Sequence, residues 1–158
     1  MMKKNWKAAA WLGFIILIIA APFINIRWND GRLSRFAGQL EQGGHPPGTR
    51  LIKTVRFLGI THGTGNQCDF LVAELRSYQG SAKELKTYYR TRRAKAPDGE
   101  VIPVEVAVWN DALFDDQSFD WMNQLNSWFA PHLLKEQRLY AVYIHAGGYE
   151  PCLDIRCH

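Results

Sequence analysis

The sequence predicts an α+β protein: a single N-terminal transmembrane helix, followed by one small domain with a mainly antiparallel sheet of four to five strands packed by two to three helices. Three observations lead to this prediction. An uncharged apolar stretch comes first, short segments of alternating apolar and polar residues follow, and segments with helical periodicity separate them. Strands mixed with helices in this irregular order are typical of α+β domains.

The apolar stretch at residues 8–26 is roughly 17–19 residues long and, at about 1.5 Å per helical residue, matches the ~30 Å bilayer core. We expect an uncleaved anchor. A cleaved signal sequence is the main alternative, but a cut after Ala21 would place Ile19 and Pro22 at positions where small residues are usual. A buried helix of a soluble protein is the third interpretation.

The short N-terminal tail carries three lysines, so we expect it in the cytoplasm and the rest of the chain outside it, in the periplasm if the protein is bacterial. The predicted organisation has four parts. They are a cytoplasmic tail at 1–7, a transmembrane anchor at 8–26, a membrane-proximal helix and hinge at 27–48, and an extracytoplasmic α+β domain at 49–158.

The net charge of +4 comes mainly from the tail, because residues 27–158 carry 16 Lys and Arg against 15 Asp and Glu. A near-neutral domain is a poor match for phosphate backbones, so we predict no nucleic-acid partner. The one basic cluster, Arg90 to Lys95, is interpreted as the solvated end of a helix.

The membrane-proximal segment predicts a short amphipathic helix at 30–42, ended by Gly43 and Gly44. The following His-Pro-Pro-Gly, residues 45–48, is the predicted hinge.

The next segments predict a hairpin and a helix. Strands at 51–60 and 69–78 flank a glycine-rich turn, and the second strand alternates with one apolar face. A capping box formed by Ser81 and Glu84 starts a helix at 82–94.

In the second half of the domain, the sequence predicts a turn at 96–99 and a strand at 101–109 whose even-numbered residues point inward. It then predicts a helix that begins near three aspartates and ends near Pro131. The aspartates suit the positive end of the helix dipole. The aspartates are Asp115, Asp116 and Asp120. The expected core residues of the helix are Phe119, Met122, Leu125 and Phe129.

The last segments predict a central strand, a turn and a short final strand. Residues 138–146 are apolar on both faces, as in a strand covered on both sides. Gly147 and Gly148 favour a turn, and residues 153–156 are a candidate for a last strand.

Three cysteines, Cys68, Cys152 and Cys157, allow at most one intramolecular disulfide in an exported domain. The sequence leaves three outcomes open: Cys152 with Cys157, Cys68 with either of them, or no bridge. A bridge between Cys152 and Cys157 requires a loop, because an extended segment would hold their Cα atoms roughly 16 Å apart.

Catalytic and metal sites are weakly indicated. Cys152, Cys157 and His158, with His62 or His145, have metal-ligand chemistry but not the spacing of a zinc site, so we predict no metal and no cofactor. Cys68 with His62 or His145 is a conceivable nucleophile and base, although nothing in the sequence brings them together. We therefore predict no catalytic residue.

The function that fits best is a membrane-anchored interaction or envelope accessory protein, which binds the membrane through its anchor and a protein partner through its domain. Aromatic side chains are enriched at interfaces, and the chain has six Trp, so the candidate interaction surface comprises Trp109, Trp121 and Trp128. One alternative is an extracytoplasmic enzyme, either a hydrolase or a thiol-dependent protein, that uses Cys68 with a histidine. The other is a domain with a small-ligand pocket between the sheet and the Trp121/Trp128 helix.

Overall fold

A computed structural model describes residues 5–61, 67–108, 120–133, 138–150 and 153–157, and it confirms the α+β class. The helices and strands follow in chain order, with a 3-10 helix at Ile155–Cys157. They are α1 Asn5–Gln42, β1 Arg50–Gly59, β2 Cys68–Ser77, α2 Ala82–Tyr89, β3 Arg93–Lys95, β4 Val101–Pro103, β5 Glu105–Val108, α3 Asp120–Leu133 and β6 Leu139–Tyr149.

Helix α1 is one continuous helix of 38 residues, so the predicted division into an anchor and a separate membrane-proximal helix is wrong. Pro22 lies inside it, as is tolerated in membrane-spanning helices. The apolar segment is exposed and is long and apolar enough to cross a membrane, whereas Phe36, Ala37 and Leu40 are buried in the domain. Because the second half of α1 belongs to the core, residues 45–48 are not a hinge between helix and domain.

The main sheet has four antiparallel strands in the order β1-β2-β6-β5. It confirms the predicted hairpin of β1 and β2, and it confirms β6 as an inner strand, buried from Leu139 to Ile144. The predicted apolar face of Leu71, Ala73 and Leu75 is confirmed, since all three lie in one hydrophobic core, but the other face of β2 is buried as well. The reason is the position of β2 in the sheet. An inner strand is covered by helices on both faces, whether or not its apolar and polar residues alternate.

Two hydrophobic cores lie on opposite faces of the sheet. The first core joins α1 and α2 to one face and contains Phe36, Phe70 and Tyr140. The second core joins α3 to the other face, with Leu125 and Phe129 fully buried, as predicted. Phe119 and the side chain of Met122 lie outside the described part of the chain.

Helix α2 begins with the predicted capping box, in which Ser81 Oγ accepts from Glu84 N–H and Glu84 Oε2 accepts from Ser81 N–H. It ends at Tyr89 rather than at residue 94, because β3 pairs with β4 in a small second sheet. The Gln39 side chain stabilises this arrangement by donating to Lys95 C=O and accepting from Lys95 N–H. The basic cluster therefore begins at the helix end, where Arg90 is the C-cap of α2, and continues into β3.

The predicted strand at 101–109 is divided into β4 and β5, which belong to different sheets. The division falls at Val104, whose N–H donates to Arg92 C=O next to Pro103, a residue without an N–H. The inward direction of the even-numbered residues is confirmed, since Ile102, Val104, Val106 and Val108 all pack against the first core.

The chain end differs from the prediction in two places. Strand β6 continues through Gly147 and Gly148 to Tyr149, where a bulge replaces the expected turn. Asp69 explains the bulge: its Oδ1 accepts from Gly148 N–H at 2.9 Å and would lie 2.5 Å from a Cβ at Gly147. The expected final strand is a 3-10 helix instead.

Helix α3 includes Pro131 in its last turn and ends at Leu133.

Candidate functional site

The predicted tryptophan surface is only partly described. Trp109 and the Trp121 side chain lie outside the described residues. Trp128 is half-buried and packs on Phe57, with ring centroids 5.4 Å apart, so it holds α3 against β1. The alternative prediction was a ligand pocket between the sheet and α3. Near Trp128, side chains of the second core fill this space.

A disulfide joins Cys68 to Cys157, with Cα atoms 4.9 Å apart, and so decides between the three cysteine outcomes. It links the start of β2 to the chain end across 89 residues. Cys68 is therefore not a thiolate nucleophile in this state, and Cys157 is not a metal ligand. Cys152, His62 and His158 lie outside the described residues.

His145, the remaining candidate base, takes part in a local brace. Its Nε2 lies 3.2 Å from Thr61 Oγ1, and both Thr61 Oγ1 and Thr61 N–H donate to the buried Asp69 carboxylate. The three residues join the ends of β1, β2 and β6. Among the described residues, no group of three or more His, Cys, Asp and Glu side chains forms a metal site.

The near-end cluster, which comprises Asn29, Asp30, Asp154 and Arg156, ties the chain end to α1 just beyond the apolar segment. The fully buried Asp154 accepts from Asn29 Nδ2 at 2.9 Å and from Arg156 Nη2 at 2.7 Å. Arg156 Nη1 also donates to Asp30 Oδ1 at 2.7 Å. Hydrogen bonds from Arg156 and Asn29 outweigh burial and lower the pKa of Asp154 to about 2. The same ion pairs raise the pKa of Arg156.

The far-end network, which comprises His45, Glu74, Arg76, Tyr89 and Tyr140, lies at the other end of the domain. His45 Nδ1 is 2.9 Å from Tyr89 Oη, which is 3.2 Å from Tyr140 Oη. Arg76 Nη1 donates to the buried Glu74 Oε2 at 2.6 Å, and His45 Nε2 is 3.3 Å from the same oxygen.

The electrostatics of the far-end network keep His45 neutral at pH 7. Burial and the guanidinium groups of Arg76 and Arg92 lower the pKa of His45 to about 4. Glu74 does not reverse this shift because Arg76 already pairs with it. Burial also raises the pKa of Tyr89. The network is a structural brace of neutral hydroxyl and imidazole groups around one ion pair.

A third feature, the cationic cleft, is a hollow of about 520 Å³ between α1 and the β3–β4 turn. Its lining comprises Arg32, Arg35, Phe36, Gln39, Lys95, Ala96, Pro97, Asp98 and Gly99. Arg32 stacks over the rings of Phe70 and Tyr149, at 5.2 and 5.4 Å from their centroids. Arg35 and Lys95 are exposed. Within the described part of the chain, none of these three cations forms an ion pair with a carboxylate.

The sequence did not indicate these three features. Each feature joins residues from distant segments, such as His45 with Glu74 or Arg32 with Lys95. In the sequence, these polar residues cannot be told apart from ordinary surface residues. One usable signal was Glu74, a charged residue within the apolar run from Phe70 to Leu75, since carboxylates are rarely buried without partners.

Comparison with known proteins does not add a function. No family model matches the chain, and no curated protein or solved structure is significantly similar to it.

Proposed function

We propose that this chain is a membrane-anchored extracytoplasmic interaction protein, and that its domain binds an acidic segment of a partner protein in the cationic cleft. The observation that carries the proposal is the cleft itself, in which three cations face one carboxylate, Asp98. In a domain of nearly balanced charge, a concave site whose cations form no ion pair among the described residues favours an anionic ligand.

The anchoring part of the proposal is supported by α1. The exposed apolar segment continues without a break into a helix that is buried in the first core. A domain fused to a rigid helix in this way has a restricted height and tilt relative to the membrane. The disulfide between Cys68 and Cys157 supports placement in an oxidising compartment, outside the cytoplasm.

The position of the cleft limits which partners can reach it. Arg32 and Arg35 follow Ile26, the last residue of the apolar segment, by about 9 and 13 Å along the helix axis at 1.5 Å per residue. The cleft therefore lies close above the membrane surface. A partner that uses it is itself a membrane protein or a protein held at the membrane.

The proposal is tested by photocrosslinking in native membranes, with benzoylphenylalanine replacing the cleft-lining residue Pro97. We expect a crosslinked partner whose attached peptide is rich in Asp and Glu. The double variant Arg35→Glu/Lys95→Glu should abolish the crosslink, because it replaces two cleft cations with carboxylates.

The matched control is Lys53→Glu/Lys83→Glu, which makes the same change in net charge at two exposed lysines on β1 and α2. It should leave the crosslink unchanged. A crosslink that survives charge reversal in the cleft, or that disappears equally in the control, contradicts the proposed site.

A further inference from the structure

Two large apolar side chains at the chain end are exposed although the backbone that carries them is firmly held. Leu153 and Ile155 are 59% and 71% exposed. Between and beside them, Asp154 is fully buried and Cys157 forms the disulfide with Cys68. The exposure of Leu153 and Ile155 is therefore a built feature of a rigid segment.

The conformation of Leu153 gives an independent indication. Its φ is 61°, the left-handed region that disfavours residues with a branched side chain. Glycine would adopt this conformation without steric conflict. A leucine at this position contributes little burial to the domain, so packing within the domain does not account for it.

The near-end cluster places these side chains beside the end of the apolar segment. Arg156, which follows Ile155, donates through Nη2 to Ile26 C=O at 3.4 Å and through Nη1 to Asp30. Ile26 is the last residue of the apolar segment, and Trp28, about half a turn further along α1 from the bilayer core, is 67% exposed. Trp at this position is typical of the interface between acyl chains and headgroups.

We propose that Leu153 and Ile155 insert into the interface between acyl chains and headgroups of the leaflet from which the domain emerges, and so form a second membrane contact. This inference rests on the membrane anchoring in the proposed function. It commits to lipid as the occupant because Arg156, the residue after Ile155, donates to the C=O of Ile26, the last residue of the apolar segment. One helix alone permits rotation of the domain about the helix axis. A second contact, offset from the helix, fixes the face that the cationic cleft presents.

The test uses the full-length protein in vesicles of zwitterionic and anionic phospholipids, with benzoylphenylalanine replacing one residue at a time. The test positions are Leu153 and Ile155. Ile16 in the apolar segment is the positive control, and Leu51 is the matched control because it is an exposed apolar residue, 46% exposed, at the far end of β1. Mass spectrometry after illumination identifies the attached molecule, and a non-reducing mass confirms the disulfide in each variant.

The expected result is a phospholipid adduct at 153, 155 and 16, at least tenfold more abundant than at 51. An adduct at 16 without adducts at 153 and 155 overturns the second contact and leaves the anchor intact. Equal adducts at 51 and 155 overturn it as well, because the domain would then lie on the membrane without a preferred face. Attachment of 155 to a second copy of the chain assigns the patch to a protein interface instead. No adduct at 16 overturns the anchoring itself.

Discussion

The two ends of the domain are held together by different means. The near-end cluster uses a fully buried carboxylate, a guanidinium group that bridges two aspartates, and an adjacent disulfide. The far-end network uses an imidazole, two tyrosine hydroxyls and one ion pair between Glu74 and Arg76. One end is held by a covalent bond and by charge, and the other mainly by neutral groups.

This difference predicts which end of the domain is more stable at low pH. The near-end cluster keeps its charges down to a pH near the lowered pKa of Asp154. The far-end network needs a neutral His45 and is weakened at a much milder pH. The rigid end is the one beside the apolar segment, as is required if the helix is to set the position of the domain.

The largest expected effect comes from removing the disulfide. The double variant Cys68→Ser/Cys157→Ser should lose about 2–5 kcal/mol of unfolding free energy, because the bridge closes a long loop and restricts the unfolded chain. Urea unfolding in detergent, without reductant, measures the loss. Cys152→Ser is the matched control and should unfold like the parent. A comparable loss in the control would show that Cys152 takes part in the bridge.

The next effect comes from separating the buried ion pair of the near-end cluster. Arg156→Gln should cost about 2–3 kcal/mol at pH 7, since it leaves Asp154 buried without its cation. The parent loses the stabilisation from Asp154 only as the pH falls from its unfolded pKa of 3.8 towards about 2, because there the unfolded chain binds the proton first.

The measurement that separates charge from packing is the double variant Arg156→Gln/Asp154→Asn, compared with Arg156→Gln by urea unfolding at pH 7. Removing the carboxylate as well should recover a large part of the loss. Equal stability of the single and double variants would mean that Arg156 acts through packing alone.

A smaller and pH-dependent effect is expected at the far end. Between pH 6.5 and about 4 the unfolded chain protonates His45 while the folded chain does not, so stability falls as the pH is lowered through this window. The contribution is on the order of 2 kcal/mol at pH 4 relative to pH 7.

His45→Asn should remove this part of the pH dependence, whereas His132→Asn, the same change on α3, should not. Thermal unfolding at pH 7, 5.5 and 4.5 measures it. Parallel pH profiles for the parent and His45→Asn would exclude His45 as the source.

The smallest expected effect has the opposite sign. Leu153→Gly should stabilise the domain in detergent by roughly 1 kcal/mol, because glycine adopts the left-handed conformation without a steric penalty. The same variant should weaken contact of the chain end with lipid, seen as a reduced adduct at position 155. A loss of stability would mean that the leucine side chain packs usefully on the domain itself.

Much of the fold could be predicted because local patterns are sufficient for it. The Ser81 capping box starts α2 at the expected residue, β1 and β2 form the expected hairpin, and the doubly apolar β6 is an inner strand. The secondary-structure predictions are wrong where contacts with distant segments override the conformation that the local sequence favours. The Gln39 side chain and β4 recruit residues 93–95 from the predicted helix, and the Asp69 carboxylate holds Gly148 in a strand rather than a turn.

By itself, the sequence determined an apolar segment able to span a membrane, the α+β class and the limit of one disulfide, since these depend on hydropathy, periodicity and cysteine number. Only the tertiary structure decided that Cys157 pairs with Cys68, that α1 is a single helix whose second half is buried in the domain, and that Arg32, Arg35 and Lys95 line one cleft. Those features join residues far apart in the chain. No local pattern encodes such distances, because they arise only when the helix packs against the sheet.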